Sequence, residues 1–137
     1  MGMNHIIQTP DTCMSACMAM ITNQTLEEVI KDFHVPFMEN EMQASDYLES
    51  KGLKVTRLTS EFTGWHGNHI YVILVPSLNL EAELHSLVFD LRNPKEAILL
   101  DPNQGRENKK YYVKYNDPIE NDLQVPLQGY VLSLKVE

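Results

Sequence analysis

Two cysteines near the start of the chain, Cys13 and Cys17, are its only thiols. A cysteine attacks as its thiolate, which forms at neutral pH only where positive potential lowers the thiol pKa. Pro10, Asp11 and Thr12 are typical of a helix start. Cys13 would then lie in the first helical turn, where unpaired N–H groups and the helix dipole favour an anion, whereas Cys17 lies a turn further along. The spacing favours Cys13 as a nucleophile; the alternative for either residue is a small buried hydrophobe.

His85 and Asp101 can supply a base and the group that orients it. His85 opens a predicted strand amid apolar residues, in Leu84-His85-Ser86-Leu87-Val88-Phe89. Asp101 follows the apolar run Ile98-Leu99-Leu100. A hairpin joining these predicted strands would bring the carboxylate beside the imidazole, where it fixes the tautomer and orientation of the base. Asn103 is an alternative orienting group, and taken singly His85 and Asp101 are also explained as a core histidine and a turn residue.

Gln8 lies five residues before Cys13. A side-chain amide at this position can donate to a developing oxyanion, together with the backbone N–H of Cys13. An exposed glutamine with no role is the alternative.

The elements that must position these side chains change character near Gly52. Before it the patterns are helical, with an apolar helix predicted over 13–22. A second helix is predicted from Thr25, because Thr25 and Glu28 have the spacing of a capping box. A third is predicted over 40–51, with Gly52 as its C-terminal stop.

After Gly52, β-branched residues alternate with turn signals. Strands are predicted over 53–58, 70–75, 85–91, 97–100, 111–115 and 130–136. Their connections are too short for crossover helices, so the sheet should be mostly antiparallel. The pattern predicts an α+β fold, a single domain over 1–137, in which N-terminal helices pack on the sheet and the central helix starts at Cys13.

Composition narrows the classes of partner. The chain is 43% hydrophobic and 22% charged, as ordinary globular proteins are. Its net charge of −8 disfavours nucleic acid and anionic membranes. We expect a cytoplasmic protein, because neither a secretory signal nor a membrane-spanning run is visible and two cysteines form no disulfide framework. We expect no cofactor, and the oligomeric state is left open.

In chain order, three segments resemble motifs of the bacteriocin-processing, or double-glycine, cysteine peptidases of the papain-like superfamily. Gln8-(x4)-Cys13-Met14-Ser15-Ala16-Cys17-Met18-Ala19-Met20 resembles their N-terminal motif, in which the first cysteine is the nucleophile. His85-Ser86-Leu87-Val88 resembles the strand that carries the base. Residues 98–105 resemble the strand that ends in Asp-Pro-x-x-Gly and carries the orienting acid.

The resemblance implies a papain-like fold and a peptide or protein substrate. It implies Cys13 as nucleophile, His85 as base and Asp101 as orienting acid. Gln8 matches the oxyanion-hole glutamine. Amide hydrolysis is the expected reaction, and deamidation, acyl transfer or deconjugation of a tagged protein would use the same groups.

Other interpretations of the same residues remain. Cys13 and Cys17 with His5 or His34 could bind zinc, although the spacing is not a common zinc pattern. A papain-like fold without activity could instead serve as a binding module, with a host protein as partner if the gene is viral. Residues 64–69, which include Trp65, are predicted to form a wall of the cleft.

Overall fold

A computed structural model describes residues 3–9, 11–58, 69–80, 83–93 and 95–137. The chain forms α1 (Cys13–Thr22), α2 (Leu26–Val29), a π-helical turn (Ile30–His34), α3 (Val35–Met38) and α4 (Ala44–Ser50). The strands are β1 (Val55–Arg57), β2 (Ile70–Pro76), β3 (Leu84–Asp90), β4 (Ile98–Leu100), β5 (Tyr111–Val113), β6 (Gln124–Pro126) and β7 (Val131–Val136). The architecture is α+β, with helices first and a mostly antiparallel sheet after them.

Helix α1 has the predicted bounds and lies at the centre of the fold. It starts after the N-cap residue Thr12 and ends at Asn23, whose left-handed conformation (φ 57°) closes the last turn. Residues from Ser15 to Met20 are all buried, because the helix packs on α2, α4 and β3. An almost wholly apolar helix requires such surroundings.

The helices after α1 follow the prediction only in part. The capping box at Thr25 and Glu28 is confirmed. The predicted helix over 40–51 begins later, at Ala44, because Asn40 takes a left-handed conformation (φ 60°) and ends the preceding helical segment. That segment, α3, was not predicted; it contains Pro36, which an α-helix accepts in its first turn.

The main sheet has five strands in the order β1-β7-β2-β3-β4, and all its pairings are antiparallel. The even-numbered β2 residues Ile70 and Val72 belong to the core around α1. The odd-numbered residues Tyr71, Ile73 and Val75 belong to a second core with Tyr112 and Leu127. Strand β2 is therefore buried on both faces, which explains its unbroken apolar run.

A small parallel sheet of β5 and β6 accompanies the main sheet. The predicted strand over 111–115 is shorter in the structure, and β6 was not predicted, because its polar and proline residues give no alternating pattern. Strand β1 is also shorter than predicted. Over the residues that the structure describes, no helix has the length and apolar character needed to cross a membrane.

Candidate active site

Cys13 is the first residue of α1 and is partly exposed, whereas Cys17 is fully buried in the core. The helix starts here because the Thr12 carbonyl accepts the Ala16 N–H at 2.8 Å, and Thr12 itself is held by the Thr9 N–H, which donates to its side chain at 2.8 Å. The first N–H groups of a helix have no intrahelical partner and favour an anion. The structure thus places the Cys13 sulfur at a helix start and beside solvent.

His85 is buried on β3 and contacts both Cys13 and Asp101. Its Nε2 lies 2.6 Å from Asp101 Oδ1, and the Cys13 sulfur is a hydrogen-bond partner of the same imidazole. Because Nε2 is occupied by the carboxylate, Nδ1 is the ring nitrogen that faces the sulfur. The structure therefore brings these three side chains together in the order sulfur, imidazole, carboxylate.

Asp101 is fully buried, and both of its carboxylate oxygens accept hydrogen bonds. Oδ1 accepts from His85 and from the Asn103 N–H (2.8 Å), and Oδ2 accepts from the Tyr112 N–H (2.7 Å). His5 Nε2 donates to the Asp101 carbonyl oxygen at 2.7 Å. The carboxylate is thus held in one orientation by the turn that follows β4 and by β5.

The alternative orienting group, Asn103, is further from the ring. Its Nδ2 lies 3.4 Å from His85 Nε2, compared with 2.6 Å for the carboxylate oxygen. The backbone N–H of Asn103 donates to Asp101, and the side-chain oxygen of Asn103 accepts a hydrogen bond from Arg106 at 2.8 Å. Asp101 rather than Asn103 makes the close contact with the imidazole.

The ionisation of Cys13 and His85 is coupled. Burial by itself raises the pKa of the Cys13 thiol, but the hydrogen bond and charge of His85, with hydrogen bonds from Ser86, outweigh burial and lower that pKa. Burial disfavours a charged His85, but Asp101 and Cys13 outweigh it and raise the pKa of His85 to about 9. Each group therefore favours the charged form of the other, a thiolate on Cys13 and an imidazolium on His85.

Cys17 has the opposite electrostatics. The pKa of Cys17 is raised well above its ordinary value. Complete burial is the largest cause, and the nearby Cys13 and Asp101 add to it. Since a thiol is a much weaker nucleophile than a thiolate, Cys17 is chemically inert beside Cys13.

Gln8 is only 6% exposed, so the interpretation of an exposed glutamine is wrong. Its backbone N–H donates to the Pro102 carbonyl at 2.9 Å, which ties the N-terminal segment to the turn that carries Asp101. Its side-chain Nε2 donates to the Thr9 carbonyl at 2.9 Å, and Oε1 has no hydrogen-bond partner among the described residues. One amide N–H is thus engaged locally, and the second is the one that can serve an oxyanion.

A cavity of about 480 Å³ contains Cys13, His85 and Gln8 in its lining. The helices contribute Met14, Phe37 and Met38 to the lining, and Leu80 and Leu84 also line it, Leu84 from the start of β3. The volume is in the range of sites that bind small molecules or a few residues of a peptide. The partly exposed sulfur is therefore accessible from a concave surface.

The other histidines of the sequence analysis have separate roles. His34 Nδ1 lies 3.3 Å from Ser15 Oγ, and its Nε2 lies 3.7 Å from Asp11 Oδ2. His5 binds the Asp101 carbonyl. Within the described ranges, no group of three or more His, Cys, Asp or Glu side chains is placed to hold a metal ion. Trp65 and the predicted cleft wall at 64–68 lie outside the described residues.

Ser86 was not among the predicted site residues; hydrogen bonding from its backbone N–H and its hydroxyl helps to lower the pKa of Cys13. The available signal was its position: it directly follows the candidate base and is a small polar residue within an otherwise apolar strand. Alternation along β3 alone does not say which face meets the cysteine, because that depends on where α1 packs.

Comparisons with family models, with curated proteins and with solved structures find no match for this chain. A cysteine of lowered pKa at a helix start, an adjacent histidine of raised pKa and a buried carboxylate can serve as a nucleophile, an acid–base group and its orienting group. Such a set can attack a carbonyl carbon and pass a proton to the leaving group.

Proposed function

We propose that this protein is a papain-like cysteine hydrolase that cleaves an amide bond in a peptide or protein through a thioester intermediate. The observation that carries the proposal is the contact chain from the Cys13 sulfur through His85 to Asp101, at the surface of an open cavity. The order of these residues also agrees with the resemblance to bacteriocin-processing peptidases.

In the first half of the proposed reaction, the Cys13 thiolate attacks the substrate carbonyl carbon and forms a C–S bond. The negative charge moves to the carbonyl oxygen, where the Cys13 N–H and the second Gln8 amide hydrogen can stabilise it. The His85 imidazolium then gives its Nδ1 proton to the amine nitrogen. The C–N bond breaks, the amine leaves and a thioester remains on Cys13.

In the second half, neutral His85 accepts a proton from water as the water oxygen attacks the thioester carbon. The C–S bond breaks, the acid product leaves, and the thiolate–imidazolium pair is restored. Asp101 holds the ring in place through both halves and favours its protonated form, because the carboxylate oxygen stays against Nε2.

The cavity rim supports a peptide rather than a small polar substrate. Met38, Leu80 and Leu84 line the cavity and are all more than half exposed. Exposed apolar side chains gathered at one site are typical of surfaces that bind apolar groups. We therefore expect apolar side chains on the substrate next to the cleaved bond.

Free cysteines suit a reducing compartment. Both Cys13 and Cys17 are unpaired, and a nucleophilic cysteine must remain reduced to act. We propose that the protein works in the cytoplasm.

The test is selective reactivity of Cys13 followed by turnover. An uncharged electrophile at neutral pH should label Cys13 at least about tenfold faster than Cys17, as read by peptide mapping. His85→Ala should slow this labelling, and Cys17→Ala should leave it unchanged. A peptide library should then be cleaved by the parent chain and not by Cys13→Ala.

Two outcomes contradict the proposal. Slow labelling of both cysteines at equal rates would mean that Cys13 is an ordinary thiol. Selective labelling without cleavage of any library peptide would favour the binding module over the hydrolase.

A further inference from the structure

Ser86 is a buried polar residue that the mechanism above does not use. It follows His85 on β3 and is 3% exposed. Val88, two residues further on, belongs to the core formed with α1, whereas Leu87 belongs to the core on the other face of the sheet. Since side chains alternate along a strand, the Ser86 side chain lies on the face that meets α1.

Ser86 offers two hydrogen-bond donors to the nucleophile. Hydrogen bonding from its backbone N–H and from its hydroxyl helps to lower the pKa of Cys13. Strand β4 pairs with β3 only at Val88, Phe89 and Asp90, so among the described strands β4 does not extend to Ser86. Helix α1, which begins at Cys13, packs on β3.

We propose that Ser86 is a further catalytic residue, whose hydroxyl and amide hold the Cys13 thiolate in place for attack and stabilise its charge. This inference rests on the proposed function. A partly buried anion loses water and needs replacement donors, and hydrogen bonds to charged groups are the stronger kind. His85 and Ser86, two consecutive residues of β3, therefore both supply hydrogen-bond donors to the sulfur.

The Ser86 donors have two opposing effects on the reactivity of Cys13. A thiolate that is stabilised by hydrogen bonds forms at lower pH, but it is a weaker nucleophile once formed. The hydroxyl therefore increases the thiolate fraction near neutral pH and lowers the intrinsic rate of each thiolate. These two effects can be separated, because one sets the midpoint of a pH profile and the other sets its plateau.

The experiment is the rate of Cys13 alkylation by iodoacetamide as a function of pH, in the full chain. Ser86→Ala removes the hydroxyl and keeps the amide. The midpoint of the pH profile should rise by about one pH unit, which means an about tenfold smaller thiolate fraction at pH values below the midpoint. The plateau should rise about threefold, because nucleophilicity increases with thiol pKa. Ser86→Thr, which keeps the hydroxyl, should restore the parent midpoint.

Other ionisable groups stay constant in this comparison. The charged or titratable side chains that share the cavity with Cys13 are Asp11, His34, Glu83, His85, Arg106 and Lys109. Asp101 and Cys17 lie buried behind them. Ser133→Ala, a serine substitution on β7, is the matched control and should not move the profile. Thermal unfolding of each variant checks that it is folded.

The outcomes separate this inference from the proposed function. A parent Cys13 that titrates like an ordinary thiol would contradict the hydrolase proposal itself. A parent Cys13 with a low midpoint that Ser86→Ala leaves in place would overturn only the role of Ser86. A plateau that falls while the midpoint stays would indicate a packing role for Ser86, and would also overturn the inference.

Discussion

The Asp101 carboxylate lies 2.6 Å from His85 Nε2 and is itself held by the Asn103 and Tyr112 amides. This contact orients the ring so that Nδ1 faces Cys13, and it helps raise the pKa of His85 to about 9. A single buried carboxylate thus controls both the direction and the charge of the imidazole. The reactivity of Cys13 should depend on it even though the two residues are separated by the ring.

Asp101→Asn should lower the alkylation rate of Cys13 at neutral pH by about 10- to 100-fold. The amide removes a negative charge next to His85, so the imidazolium becomes less stable and the Cys13 pKa rises. Asp90→Asn is the matched control. Asp90 is also a buried aspartate, at the end of β3, but its carboxylate pairs with Arg92 and not with His85. Equal rates for Asp101→Asn and the parent would show that the carboxylate does not tune the site.

The rate of Cys13 alkylation and the rate of substrate turnover should depend differently on pH. Both should rise as pH increases through the lowered pKa of Cys13, because the sulfur becomes a thiolate. Turnover should fall again as pH passes about 9, because His85 loses the proton that the leaving amine needs. Alkylation needs no proton donor and should persist above that pH. Paired pH series on one preparation would measure this, and a common alkaline fall would contradict it.

Stability should become pH-dependent when Cys13 is replaced by alanine. The raised pKa of His85 stabilises the fold fully below its ordinary value of 6.5, and this contribution is lost as pH rises through about 9. The lowered pKa of Cys13 acts in the opposite sense up to its ordinary value of 9.0, so the two contributions offset each other in the parent. In Cys13→Ala only the His85 contribution remains, held by Asp101.

The free energy of unfolding of Cys13→Ala should therefore fall by about 1 kcal/mol as pH rises from about 6.5 towards 9. Urea unfolding at several pH values measures it. The double substitution Cys13→Ala with His85→Gln is the control and should remove the slope. A parent chain with the same slope as Cys13→Ala would contradict the coupling.

Gly105→Ala should destabilise the turn that carries Asp101. Gly105 has a φ of 98°, and a Cβ there would lie 2.9 Å from Ile7 Cδ1. The substitution puts alanine in a strained left-handed conformation and requires the end of the Ile7 side chain to shift, so we expect a loss of about 1–3 kcal/mol, most of it from the backbone strain.

Two other glycines separate the causes in the Gly105 experiment. Gly52→Ala meets no atom within 4 Å but has a φ of 85°, so it should carry the backbone strain alone. Gly129→Ala has neither feature and should be close to neutral. Thermal unfolding should rank the losses in the order 105, 52, 129. A loss at Gly105 no larger than the loss at Gly52 would show that the Ile7 contact adds nothing to the backbone strain.

Local signals were sufficient for the elements that carry the site. Thr12 and the apolar run after it predicted α1 at its observed bounds. The apolar run after His85 predicted β3 within one residue at each end. These features depend on interactions between residues close in sequence, such as capping and the periodic burial of side chains. The π-helical turn at Ile30–His34 and the parallel pairing of β5 with β6 were not predicted, since they depend on packing between distant segments.

The sequence by itself determined which side chains are available and the order in which they occur: a cysteine at a helix start, a histidine on a strand and an aspartate after the next strand. The tertiary structure alone decided that these side chains meet, that Asp101 lies closer to the ring than Asn103 does, and that Ser86 is placed to act on Cys13. Contact between distant residues depends on how α1 docks on the sheet. The pKa of Cys13 depends on the burial and charged neighbours that this docking creates.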